Sequence, residues 1–186
     1  MFALKDKYYI YLENTKTLNL NLIKLRGKFA IIYHNKCIPE NFKKLNKFRL
    51  ECKRKNIDFY VANKESLARD CKADGLYISA YNKKNYYKKF KKIIGAAHNF
   101  KEIYQKKRQG CDPIILSRIL RTDYEFKKGF LGVVRFNKYT HLFNIKFVAL
   151  GGIRAKNLNV VRSVNVKSIA FLSEVKKKPA VLSRLF

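Results

Sequence analysis

One pattern constrains the fold of this chain more than any other: an alternation of two kinds of segment from end to end. Short runs rich in β-branched and aromatic residues lie at Tyr8–Leu12, Phe29–Tyr33, Asp58–Ala62, Gly75–Ile78, Ile93–Ala97, Pro113–Leu116, Phe147–Leu150 and Ser168–Leu172. Most are apolar almost without interruption, the pattern of a strand covered on both faces, as in a parallel sheet. Between them lie polar, lysine-rich stretches with apolar residues at helical spacing. Phe42, Leu45, Phe48, Leu50 and Cys52 punctuate one; Phe100, Ile103 and Tyr104 mark another. Phe130 to Asn144 is the least regular part, with a strand or helix around Leu131–Phe136. Strand–helix alternation predicts parallel α/β architecture. Eight strands suit a compact (β/α)8 barrel better than an open doubly wound sheet. No Gly/Ser-rich or Pro-rich linker interrupts the series, so residues 1–186 read as a single domain with short connections. The usual barrel of this kind takes about 250 residues.

Composition narrows the function classes. At 186 residues and 47% hydrophobic content the chain can bury a core. It holds no run near the roughly 18 consecutive apolar residues of a membrane helix. Its start, Met1-Phe2-Ala3-Leu4, is too short an apolar stretch for a signal peptide. A cytoplasmic protein without a membrane partner is expected. Cys37, Cys52, Cys71 and Cys111 are widely spaced and show no C-x-x-C pattern, which predicts reduced thiols, buried or idle, rather than a metal or disulfide framework.

The net charge of +29 is extreme and would ordinarily point to nucleic acid or an anionic surface. The lysines are scattered, however, and Lys, Asn, Ile, Tyr and Phe are abundant together. Charge of this kind predicts salt-sensitive, nonspecific attraction to polyanions and no specific nucleic-acid partner. Tyr81, Tyr86 and Tyr87 interleave with Lys83, Lys84, Lys88 and Lys89. That mixture can stack single-stranded bases, but it reads more simply as packing and solvated lysines on a helix and its preceding loop.

In a parallel barrel, chemistry collects where the strands end. Here those positions are Glu13 and Asn14, His34 to Lys36, Ala62 to Lys64, Ser79, Ala97 and His98, Ser117 and Arg118, Gly151 and Gly152, and Ser173. Basic, hydroxylic and small residues dominate. Apart from Glu13, acids appear only in the loop after strand six, as Asp123 and Glu125. Such a lining favours an anionic, phosphorylated small molecule. Gly151 and Gly152 leave backbone N–H groups open to an oxyanion, and Ser173 adds a hydroxyl; glycine also permits the positive φ of a tight turn, so a purely structural role for the pair stays open.

Four blocks in this order resemble the thiamine phosphate synthase and TenI-type thiazole tautomerase superfamily, from about Phe29 to the end. Phe59-Tyr60-Val61-Ala62-Asn63-Lys64, with Leu67-Ala68 and Ala73-Asp74-Gly75-Leu76-Tyr77-Ile78, is similar to the family's F-I-I-N-D-R … L-A … G-A-D-G-V-H-L. Ile93-Ile94-Gly95-Ala96-Ala97-His98-Asn99-Phe100-Lys101-Glu102 resembles I-I-G-x-S-x-H-S-L-E-E. Ser117 to Thr122, through Leu131-Gly132, resembles G-P-I-F-x-T … K … L-G. Ala149-Leu150-Gly151-Gly152-Ile153 and Phe171-Leu172-Ser173 resemble A-I-G-G-I and V-V-S.

The resemblance implies a barrel that joins a pyrimidine pyrophosphate to a thiazole phosphate and releases pyrophosphate. It implies that Gly151, Gly152, Leu172 and Ser173 hold the thiazole phosphate, that Thr122 adds a hydroxyl, and that Lys127 or Lys128 meets the pyrophosphate. The other half of the family site is altered. Q-x-R-x-K becomes Ile32-Tyr33-His34-Asn35-Lys36, leaving Lys36, with His34 either meeting an anion or having no role. The Asn-Asp pair becomes Ala62-Asn63, the next acid falls near Asn82, and Ala97 replaces a serine. Two amides for two carboxylates should weaken Mg²⁺ binding severely. Coupling would then rely on Lys36, Lys64 and Lys127 or Lys128 to neutralise pyrophosphate beside Asn63.

His98 resembles the residue that moves a proton on the thiazole ring in the tautomerase branch, a task suited to imidazole; the same histidine can instead only shape its loop. Three functions follow from these readings: a synthase-like or tautomerase-like enzyme of thiamine biosynthesis, a non-catalytic barrel that binds a phosphorylated metabolite, and, last, a polyanion-binding protein.

Overall fold

The computed structural model describes residues 6–23, 27–35, 40–85, 89–122, 129–154, 157–166 and 168–171. Its strands are β1 (Lys7–Leu12), β2 (Phe29–Tyr33), β3 (Asp58–Ala62), β4 (Gly75–Ile78), β5 (Ile93–Ala97), β6 (Ile114–Ser117), β7 (Phe147–Leu150) and β8 (Ser168–Phe171). The helices are α1 (Phe42–Arg54), α2 (Glu65–Asp70), α3 (Phe100–Arg108), α4 (Gly132–Leu142) and α5 (Leu158–Arg162). The strands form a closed barrel in the order β1 to β8, and each described pairing is parallel. The expected (β/α)8 barrel is therefore the fold. Two compact units make it up: Met1–Tyr77 with Phe171–Phe186, and Ile78–Ala170.

In the first unit, Ile10 sits beside Ile31 and Ile31 beside Phe59 across β1, β2 and β3. These residues, with Tyr8, Phe29, Ile32 and Leu76, are almost wholly buried. Helix α1 begins where the Asn41 side chain accepts a hydrogen bond from the Lys43 N–H and ends in Lys53 and Arg54, which suit the negative end of the helix dipole. Its buried stripe is Leu45, Phe48, Arg49 and Cys52, the i, i+3, i+4, i+7 positions of one helical face. The sequence expectation for this helix needs correcting. Leu50 is 50% exposed and Phe42 44%, because neither lies on that stripe, whereas Arg49 does. Arg49 Nη2 lies 3.8 Å from Asp74 Oδ1. Asp74 Oδ2 accepts from the Phe59 N–H at 2.8 Å, which makes Asp74-Gly75 a structural turn into β4.

In the second unit, α3 packs its C-terminal end onto β5 through a single missing side chain. A Cβ on Gly95 would lie 2.9 Å from Cys111 Cβ and Sγ and 3.1 Å from Lys106 Cβ. Cys52, Cys71 and Cys111 are buried free thiols, as expected; burial raises the Cys52 and Cys111 thiols to about 12. Cys37 lies outside the described residues. The irregular segment is resolved as helix α4, with Phe136 and Thr140 buried one turn apart.

Three helices return to the sheet through the same device. After α1, α2 and α3 a residue takes a left-handed conformation: Asn56 (φ 54°), Lys72 (φ 50°) and Gly110 (φ 72°). In each, the following N–H reaches back to a carbonyl inside the helix: Ile57 to Cys52, Ala73 to Ala68 and Cys111 to Lys106. This is the six-to-one bond of a Schellman turn, and it closes the helix within two residues.

The connection from β4 to β5 departs from expectation. The helix expected around Tyr81 to Lys89 is absent among the described residues there, and Tyr81 is 75% exposed; Tyr86, Tyr87 and Lys88 lie outside them. Non-helical backbone still needs hydrogen-bond donors, and α3 supplies them. The fully buried Lys106 donates from Nζ to the Asn82 carbonyl (2.6 Å) and to Gln109 Oε1 (2.8 Å). Gln109 Nε2 donates to the carbonyls of Lys84 (2.7 Å) and Asn82 (3.2 Å). Burial lowers the Lys106 pKa, with Cys111 and Glu102 acting against the shift. Lys106→Met keeps the stem and removes the ammonium, orphaning Gln109 Oε1; urea unfolding should show a loss of about 1–3 kcal/mol.

Candidate functional site

The first unit presents a tyrosine cluster where its strands end. The Tyr11 hydroxyl donates to that of Tyr77 at 3.0 Å, with the rings perpendicular and 5.5 Å apart. Burial, then the neighbouring Tyr77, holds Tyr11 well above its ordinary value. Burial and the hydrogen bond with Glu40 raise Tyr33 to about 12. These phenols are therefore neutral near pH 7, offering hydroxyls rather than charge.

The His34 ring lies 5.9 Å from that of Tyr77, and the His34 backbone N–H donates to the Leu12 carbonyl at 2.7 Å. Asn63 takes φ 58°, a left-handed conformation that asparagine tolerates better than most residues, and its N–H donates to the Tyr77 carbonyl at 2.8 Å. Tyr77 is thus the common neighbour of His34 and Asn63, a role its place in an apolar strand did not signal. Lys64 is exposed and precedes α2. Lys36, Leu172 and Ser173 lie outside the described residues.

The second unit carries two arrangements. At the end of β5, Asn99 caps α3 by accepting from the Glu102 N–H (2.9 Å), and its Nδ2 donates to Glu102 Oε1 (2.9 Å). Glu102 Oε2 accepts from the His98 backbone N–H at 2.8 Å and lies 3.0 Å from His98 Nδ1. A carboxylate there favours the tautomer with hydrogen on Nδ1, leaving Nε2 as the basic nitrogen of a half-exposed imidazole. This orienting role of Glu102 was missed in the sequence, although its spacing from Asn99 is that of a capping box. Partial burial pushes the Glu102 carboxyl up, but the hydrogen bonds from His98 and Asn99 outweigh it and leave it below its ordinary 4.5. A depressed carboxyl contributes stability above 4.5 that is lost as pH falls through the lower folded value. Glu102→Gln should therefore flatten the acid limb of a stability-versus-pH curve below 4.5, measured by thermal unfolding.

The other arrangement joins the ends of β6 and β7. Gly151 and Gly152 have φ of 100° and 72°. A Cβ on Gly152 would stand 2.5 Å from the Arg121 carbonyl oxygen and 2.7 Å from the Leu120 carbonyl. The Leu150 and Gly151 carbonyls accept from the Ile119 (3.0 Å) and Leu120 (3.1 Å) N–H groups. Asn157 Nδ2 donates to the Gly152 carbonyl at 2.6 Å. The glycine pair is thus fixed by main chain on one side, so the structural role left open by the sequence is real, whatever else the turn holds. Arg118 Nη1 donates to Thr122 Oγ1 at 3.1 Å beside it. Lys127 and Lys128, with Asp123 and Glu125, lie outside the described residues. Gly152→Ala combines a left-handed alanine with a backbone clash and should cost at least about 1–3 kcal/mol, read by chemical denaturation.

The residues expected near Mg²⁺ do not make a site for it. Asn82 Oδ1 accepts from the Lys84 N–H at 2.9 Å, and the Lys106 ammonium sits on the Asn82 carbonyl. Asn63 offers only a neutral amide. Among the described residues no three His, Cys, Asp or Glu side chains come together to hold a metal ion. A hard divalent cation requires charged oxygen ligands, so no step is assigned to one.

A closed parallel barrel of eight strands is an enzyme fold that gathers its chemistry where the strands end. A family model described as thiamine monophosphate synthase matches residues 12–175, and the chain belongs to that family. The thiamine-phosphate synthase of Prochlorococcus marinus strain AS9601 is 31% identical over 129 residues, covering 67% of this chain and 37% of that protein. The thiamine-phosphate synthase of a second strain of Prochlorococcus marinus is 26% identical over 158 residues, covering 80% of this chain and 45% of that protein. The chain thus spans less than half the length of these relatives. In structure it is similar to the thiamine phosphate pyrophosphorylase of Pyrococcus furiosus, with a TM-score of 0.79 at 20% identity over 98% of this chain and 95% of that one. That likeness establishes the fold. No helix among the described residues is long and apolar enough to cross a membrane.

Proposed function

We propose that this barrel binds a thiazole phosphate and acts as a thiamine phosphate synthase-like transferase. The observation that carries the reading is the rigid Gly151-Gly152 turn beside Thr122 and Arg118, in a chain of this family. Departure of pyrophosphate from the pyrimidine pyrophosphate leaves a cation stabilised by its own ring. The protein's work is then to hold the thiazole nitrogen against the reacting carbon and to neutralise the departing charge. In place of metal, that neutralisation falls to cationic side chains: Lys64, and Lys36 with Lys127 or Lys128 where the family pattern places them. Ser173 and Leu172 complete the thiazole phosphate loop, and residues 1–186 act as one domain.

A second reading rests on the His98–Glu102 pair. An imidazole whose Nδ1 faces a carboxylate can take a thiazole proton at Nε2 and return it, the chemistry of a tautomerase. A third keeps the ligand without turnover.

Incubating the protein with both substrates, with and without Mg²⁺, should yield thiamine phosphate at similar rates. Binding of the thiazole phosphate without product in either condition would leave the carrier reading. In that case loss of thiazole proton exchange in His98→Ala, with binding kept, would identify the tautomerase. Absence of saturable thermal stabilisation by either thiazole phosphate or thiamine phosphate would overturn all three. Attraction that falls uniformly with salt would then leave only the polyanion reading.

A further inference from the structure

We propose that Arg118 is the guanidinium that recognises the phosphate monoester of the ligand, and that Gly151 lacks a side chain partly to admit it. This rests on the phosphate-binding reading above and assigns a residue to the same site. Arg118 directly follows β6. Its stem crosses the β7 turn so closely that a Cβ on Gly151 would lie 2.9 Å from Arg118 Cβ and Cγ and 3.0 Å from its Cα. The surrounding main chain is fixed: the Arg118 carbonyl accepts from Leu131 (2.8 Å), and the Ile119 carbonyl from Gly132 (3.0 Å). With the two bonds to Leu150 and Gly151, this leaves Arg118 on a segment tied at both flanks.

The hydrogen bond to Thr122 sets the polarity of the site. Arg118 Nη1 donates to Thr122 Oγ1, so the threonine oxygen is engaged as an acceptor and its own hydrogen must point elsewhere. Arginine and threonine thereby become a paired set of donors. A guanidinium presents five N–H groups in a rigid fork that matches two oxygens of one phosphate, and the hydroxyl can supply a third contact.

The test compares hydroxyethylthiazole phosphate with unphosphorylated hydroxyethylthiazole by calorimetry. Arg118→Ala should weaken the phosphate ester about tenfold to a hundredfold, since a hydrogen bond to a charged group contributes about 1.5–3 kcal/mol. It should leave the unphosphorylated thiazole unchanged. Arg118→Lys should recover part of the loss, and Thr122→Val should lose less than Arg118→Ala. Should Arg118→Ala fail to fold, Arg118→Gln keeps the stem over Gly151 and carries the same comparison. Equal binding of the phosphate ester by wild type and variant would overturn the role of Arg118 alone. So would an equal loss for both ligands, the mark of a merely structural residue. If the wild type binds no phosphate ester, the phosphate reading falls and the assignment with it.

Discussion

Much of this protein's site depends on one close approach, that of the β7 turn to the loop after β6. Gly152 stands so near the Leu120 and Arg121 carbonyls that any side chain would displace backbone. Two further main-chain hydrogen bonds run from the β6 loop to Leu150 and Gly151. Contact of this kind is stiffer than contact between side chains, because no rotamer can absorb a misfit. It sets where Thr122 and Arg118 stand relative to the glycine turn. A cradle for an anion needs that order in advance, since donors that must be gathered on binding cost affinity.

The strands were legible in the sequence because buried parallel strands announce themselves as unbroken apolar runs. Phe29–Tyr33, Asp58–Ala62 and Ile93–Ala97 could be read to the residue. Helix faces were less so. In α1 the stem of Arg49 occupies a core position while Leu50 faces out, and hydrophobicity alone ranks them the other way. The β4–β5 connection departs from its local sequence pattern for a related reason. Its stability comes from Lys106 and Gln109, polar residues some twenty positions away in the chain, and local propensity carries no trace of so distant a donor.

Of the candidate site, the residue types at the strand ends were legible, and small and cationic ones there raise the expectation of an anionic ligand. Asn99 and Glu102 have the spacing of a capping box, but the contact of the Glu102 carboxylate with His98 required the three-dimensional turn. Tyr11 and Tyr77 looked like ordinary aromatic strand residues, and only the meeting of their hydroxyls gives them a polar role. The net charge of +29 says little about any of this. Lys106 and Arg118 each aim a donor at a named acceptor, which a net charge does not reveal.

The left-handed residues Asn56, Lys72 and Gly110 also limit how this chain can change length. Each fuses the last turn of a helix to the strand that follows, so helix and strand are held in a fixed phase. One residue added there would turn the next strand over, sending core side chains outward and outer ones into the barrel. The returns that precede β3, β4 and β6 are thereby held at constant length.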